Sequence, residues 1–89
     1  LPDAAEIHYN LGLALFEDNR LSEAVNAYRR ASALCPEDTD ILYNLGLAYK
    51  QCGRFSEARD TYQKGLALAP DDADMRYNLG CCYKDAGDI

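Results

Sequence analysis

The sequence predicts an all-α solenoid of five antiparallel helices, stacked as helix-turn-helix units of equal length. Three observations predict it. The tetrapeptide Tyr-Asn-Leu-Gly occurs at residues 9–12, 43–46 and 77–80, each copy 34 residues after the last. The rest of the chain keeps that register, because residues 5–38 and 39–72 are identical at 16 of 34 positions. Within each unit the apolar residues recur at steps of three and four, the spacing of one helix face. Repeat one is therefore 5–38, repeat two 39–72, and 73–89 opens a third. Residues 1–3, shifted by one period, match the end of repeat one. The chain thus reads as part of a longer array.

The first helix is expected over 5–18, with Asp3 as its N-cap and Pro2 just outside it. Ile7, Leu11, Ala14 and Leu15 mark its apolar face. Asn19 ends it, since asparagine and glycine tolerate the left-handed conformation beyond a helix end, and its period mates are Gly53 and Gly87. The second helix is expected over 22–35, with Ser22 as N-cap and Glu23 at the positive end of its dipole. Pro36 stops it, because the residue before proline avoids helical geometry. Repeat two predicts helices over 39–52, capped by Asp38 or Thr39, and over 56–69, ended by Pro70. A fifth helix begins near Ala73, and Ile89 falls on the register of Leu21 and Phe55.

The connections are short, which makes successive helices antiparallel. Gly12, Gly46 and Gly80 sit inside helices, where glycine costs about 1 kcal/mol against alanine. A cost repeated in each unit implies close packing, with Ala24 and Ala58 as the expected small residues opposite. Gly12→Leu is then expected to wedge the pair apart.

The chain has 89 residues, 48% hydrophobic and 27% charged, a composition that folds. Its net charge of −6 disfavours phosphate backbones and anionic membrane surfaces, so neither nucleic acid nor membrane is an expected partner. No apolar run is long enough to span a bilayer. Cys35, Cys52, Cys81 and Cys82 form no CxxC pair, which argues against zinc or a disulfide framework. Unpaired thiols point to a reducing, cytoplasmic location. His8 stands alone and no nucleophile–base–orienter set surrounds it. No glycine-rich phosphate loop exists either. Neither enzyme activity nor a cofactor is expected.

The landmark residues resemble the tetratricopeptide repeat. In repeat one they are His8, Leu11-Gly12, Leu15, Asn19, Ala24, Tyr28, Ala31 and Pro36. In repeat two they are Leu42, Leu45-Gly46, Tyr49, Gly53, Ala58, Tyr62, Gly65 and Pro70; the third begins Arg76, Leu79-Gly80, Tyr83, Gly87. The departures are His8, Leu42 and Arg76 where tryptophan is frequent, Leu15 for an aromatic, and Asn19 for glycine. Arg76 suggests a less buried end to the stack. The resemblance implies a right-handed superhelix whose first helices line a concave groove that holds a peptide segment of a partner protein.

On the first helix of each unit, the face away from the core carries parallel rows. Tyr9, Tyr43 and Tyr77 form an aromatic row; Asn10, Asn44 and Asn78 an amide row; Leu13, Leu47 and Cys81 an apolar row. Glu6, Asp40 and Asp74 add an acidic edge. Amides pair with extended backbone, and tyrosine beside apolar residues suits recognition. The amide row is similar to that of the repeats of O-linked N-acetylglucosamine transferases. The same asparagines have a plainer role available, bonding within the helix stack. The basic clamp that some family members use for a terminal carboxylate is missing, since of its posts only Asn44 is present. The expected function is a non-catalytic protein-interaction scaffold binding a partner peptide in the groove. Alternatives are a structural module that self-associates end to end, or the substrate-recruiting part of a larger enzyme.

Overall fold

A computed structural model describes residues 3–85. Pro2, Gly87 and Ile89, each used in the sequence reading, lie outside the described residues. Five helices run in order: α1 (Asp3–Glu17), α2 (Leu21–Leu34), α3 (Thr39–Gln51), α4 (Phe55–Leu68) and α5 (Ala73–Asp85). Each packs on the next, and α3 also touches α5. The array is elongated, 40 × 27 × 16 Å, as a stack of hairpins must be.

The helix junctions follow from two left-handed residues. Asn19 has φ 59° and Gly53 has φ 78°. At the first, the Asn19 N–H donates to Phe16 O at 3.0 Å and the Arg20 N–H to Leu15 O at 2.9 Å. At the second, the Gly53 N–H donates to Lys50 O at 3.0 Å and the Arg54 N–H to Tyr49 O at 2.9 Å. These bonds satisfy carbonyls that the helix end would otherwise leave open.

This closure corrects the expected N-cap. Ser22 is not the cap of α2; Arg20 is, with φ −91° and ψ 71° and no side-chain capping bond. The residue that closes α1 is already the one whose carbonyl begins α2, accepting from Ala24 N–H at 2.9 Å. Serine therefore falls inside the first turn. Arg54 repeats the arrangement ahead of α4. Both arginines fork onto the glutamate three residues on, Arg20 to Glu23 and Arg54 to Glu57, with closest approaches of 2.5 and 2.6 Å. The Arg54 guanidinium also lies 4.9 Å above the centre of the Tyr49 ring.

The other starts use carboxylates. Asp38 Oδ1 accepts from the N–H groups of Asp40 and Ile41 at 3.0 and 3.2 Å, so Asp38 rather than Thr39 caps α3. Asp72 does the same for Met75 at 2.9 Å. Asp3 is the first residue of α1 rather than the residue before it. Cys35 and Ala69, each preceding a proline, take φ −134° and end α2 and α4.

The core runs between the hairpins. Tyr28 and Tyr62 are its largest fully buried side chains, with Val25, Leu45, Ala48, Tyr49, Met75 and Cys82 in the same cluster. Gly12 and Gly46 make room for these tyrosine rings, which stand nearer to them than the expected Ala24 and Ala58. A Cβ built on Gly12 would stand 2.6 Å from Tyr28 Cδ1, and one on Gly46 2.6 Å from Tyr62 Cε1. A bulky ring, rather than a small residue, uses the space. At Gly80 nothing lies within 4 Å among the described residues.

Burial does not follow the period. Ile41 and Leu45 are 0% and 6% exposed, yet their mates Ile7 and Leu11 are 66% and 48% exposed. In repeat two that face is covered by α2, whereas α1 has no described helix on that side.

Tyr62 Oη is buried with no hydrogen-bond partner, and burial pushes the phenol well above its ordinary range. An unpaired buried hydroxyl opposes folding. Tyr62→Phe is therefore expected to leave stability unchanged or raise it by up to about 1 kcal/mol, read by urea denaturation. A clear loss would show that the hydroxyl has a partner in solution.

Candidate functional site

The repeated first helices α1, α3 and α5 carry the nine residues of the three rows. Their environments are not equivalent. Tyr9, Leu13 and Tyr43 are half-buried and pack against the core. Leu47 and Cys81 are also half-buried, while Asn10 is exposed. Tyr77 is 72% exposed, and Asn78, at 8%, is buried.

The amide row differs most from its even spacing in sequence. Asn44 Nδ2 donates to Tyr9 Oη at 2.9 Å and to the Asp40 carbonyl at 2.9 Å. Both N–H groups of this amide are thus engaged within the stack. The first of these bonds joins repeat two to repeat one, and the sequence analysis did not find it. Its signal was available: both residues belong to the tetrapeptide, at a separation of 35, one period plus one residue. The equivalent bond from Asn78 to Tyr43 does not form among the described residues.

Tyr9 sits at a junction of packing and charge. Its ring centre lies 6.0 Å from that of Tyr28, tilted by 50°. Burial raises its phenol pKa, Asp40 and Asp38 raise it further, and the Asn44 hydrogen bond pulls it back. The acidic edge reaches this tyrosine directly, and the remaining acids of that row, Glu6 and Asp74, are exposed. A side-chain hydrogen bond to Cys81 raises the Tyr77 phenol. A double-mutant cycle on Tyr9→Phe and Asn44→Ala should return a coupling of about 0.5–1.5 kcal/mol in unfolding free energy. A coupling of zero would mean that the bond contributes nothing to joining the repeats.

His8 is half-buried at a packing position, with Nδ1 enclosed and unpartnered. Among the described residues, no group of three His, Cys, Asp or Glu side chains is placed to hold a metal ion. No helix among them is long and apolar enough to cross a membrane.

Known proteins share this architecture. Comparison with curated proteins finds no match. A crystal structure of MamA superposes with a TM-score of 0.91 at 32% identity, over 96% of this chain and 46% of that one. Another, of MamA AMB-1, gives a TM-score of 0.89 at 25% identity, over 98% and 51%. The type III secretion translocator chaperone SycD of Yersinia enterocolitica, in an alternative dimer, gives 0.90 at 17% identity, over 99% and 67%; that likeness is one of fold alone. The chain spans between 46% and 64% of the length of the MamA chains it matches. The family model described as TPR repeat matches residues 14–53 and again 46–87. Those two matches together cover most of the chain, and the protein belongs to the tetratricopeptide repeat family.

Proposed function

We propose that the protein is a non-catalytic interaction scaffold that holds a peptide segment of a partner protein along α1, α3 and α5. The observation that carries this reading is the accessible strip on successive first helices: exposed Asn10 and Tyr77, with half-buried Leu47 and Cys81 between and beside them. Aromatic and apolar side chains set among polar groups are the usual anchors of such contacts. Asn44 enters through its carbonyl oxygen, since its N–H groups are engaged within the stack. Free thiols suit a reducing compartment, and we place the protein there.

The test is selection of peptides from a random library displayed on phage, followed by titration of the recovered peptides by fluorescence polarisation. Asn10→Ala and Tyr77→Ala change exposed side chains and should leave the melting transition in place. Each is expected to weaken binding by roughly 1–2 kcal/mol. A library that yields no peptide weakened by either variant would overturn this placement.

A second reading has its own support. The exposed Ile7 and Leu11 form an apolar face of the kind that repeat two covers. Stacking of another hairpin there, from an adjoining repeat or a second copy, would bury it. Sedimentation that depends on concentration, and is abolished by Ile7→Glu, would favour self-association.

A further inference from the structure

The two faces of α3 lead to different surfaces. Tyr43, Asn44 and Leu47 point to one side; Leu42, Leu45 and Tyr49 point to the other, about 180° away at ~100° per residue. On that second side α2 and α4 stand apart and leave an open cleft of about 430 Å³. Its floor is Leu42, Leu45 and Tyr49, which belong to the core and show only their edges, its accessible apolar rim is Ala33 and Pro36, and its walls include Arg29 from α2 with Thr61 and Lys64 from α4. Arg30 continues the basic wall on α2 in an adjoining hollow that Arg29 also lines.

The charges lining this cleft are opposite in sign to the net charge of the molecule. The chain carries a net charge of −6. Elsewhere Arg20 and Arg54 are committed to Glu23 and Glu57. Arg29, Arg30 and Lys64 are exposed and enter no ion pair among the described residues. Glu57 is near enough to feel Arg29, but its carboxylate is bonded to Arg54. Thr61 is no competing donor, because its hydroxyl bonds the Glu57 carbonyl at 2.8 Å. Cations thus face each other across an apolar floor.

We infer that this outer cleft is a docking site for a partner segment that alternates apolar side chains with carboxylates. The apolar side chains pack on Ala33 and Pro36 above the floor, and the carboxylates meet Arg29 on one wall and Lys64 on the other. Complementary charge sets orientation and on-rate, and planar Arg29 suits bidentate pairing with a carboxylate. This surface is separate from the strip along α1, α3 and α5, and the two readings stand or fall independently.

The same displayed library tests it, with binding measured on wild type, the Arg29→Glu/Lys64→Glu double variant and the Asn10→Ala/Tyr77→Ala pair. Both altered cleft residues are exposed, so the double variant should retain its helical signal and melting transition. Among the recovered peptides, a class that combines Asp or Glu with Leu, Ile or Phe is expected to bind the cleft. Their affinity should fall at least about tenfold in the cleft variant, weaken with added salt, and stay unchanged in the other pair. Amide shifts on titration should cluster at Leu42, Leu45 and Thr61. Four results overturn the inference: no peptide recovered, peptides without acidic residues, equal binding by the cleft variant, or a uridine oligonucleotide binding there in place of peptide. Loss confined to the Asn10/Tyr77 pair for every recovered peptide would support the first-helix strip and reject the cleft.

Discussion

Gly46→Ala is expected to destabilise the protein, although alanine is the better helix former by about 1 kcal/mol. The added Cβ would stand 2.6 Å from Tyr62 Cε1 and 2.7 Å from Cζ. A flexible side chain would swing away, but Tyr62 is 0% exposed and enclosed by the core. The overlap is relieved only by moving α3 off α4, at a cost of about 1–3 kcal/mol. Gly80→Ala is the control built into the chain. It changes the same residue of the same tetrapeptide, yet its Cβ would meet nothing within 4 Å among the described residues. Propensity alone then acts, and Gly80→Ala should stabilise by about 0.5–1 kcal/mol. Urea denaturation of the two variants beside wild type gives the comparison. Shifts of the same sign would remove the assignment of the glycines to the tyrosine rings. A leucine at Gly46 should go further than alanine, because it adds volume to a slot that already has none.

Alkaline solution should unfold the array through its buried tyrosines. Burial pushes the Tyr28 phenol from its ordinary 10.0 up to about 12, with Tyr9 and Glu17 adding to the effect. Tyr62 is raised further, again chiefly by burial. The direction of the linkage follows from where the proton is held more tightly. A phenol whose folded pKa exceeds its unfolded value contributes stability that is fully present below pH ~10. Above that the unfolded chain ionises first, and the contribution is lost as pH rises through the folded values. That contribution is relative to the ionised form: the neutral hydroxyls themselves add nothing at neutral pH, and what is lost at alkaline pH is the fold's tolerance of these two rings, since ionising either inside the core opposes folding. Circular dichroism and tyrosinate absorbance, followed between neutral and strongly alkaline pH, should show helix loss together with ionisation of the buried pair. Tyr62→Phe should move that transition to higher pH. Full ionisation with the helices intact would show that these rings are not enclosed.

Both expectations depend on what a neighbouring hairpin supplies, and that divides what the sequence could tell from what it could not. The repeat period, the left-handed turns at Asn19 and Gly53, the prolines after α2 and α4, and a cap for α3 at Asp38 or Thr39 were all legible in the residues. Each is settled by contacts within a few residues of itself, so a linear pattern carries it. The misassigned Ser22 cap shows the limit even there, since the turn before it uses Arg20 for two purposes at once. Tertiary packing alone decided the rest. It set the partners of Gly12 and Gly46, joined Asn44 to Tyr9 across a repeat boundary, and opened the basic cleft between α2 and α4. It also buried Ile41 while leaving Ile7, its mate in an otherwise similar unit, in solvent. The chain repeats but its surroundings do not: each helix face is covered by the hairpin beside it, and burial, pairing and pKa follow that neighbour rather than the residue's own position in the period.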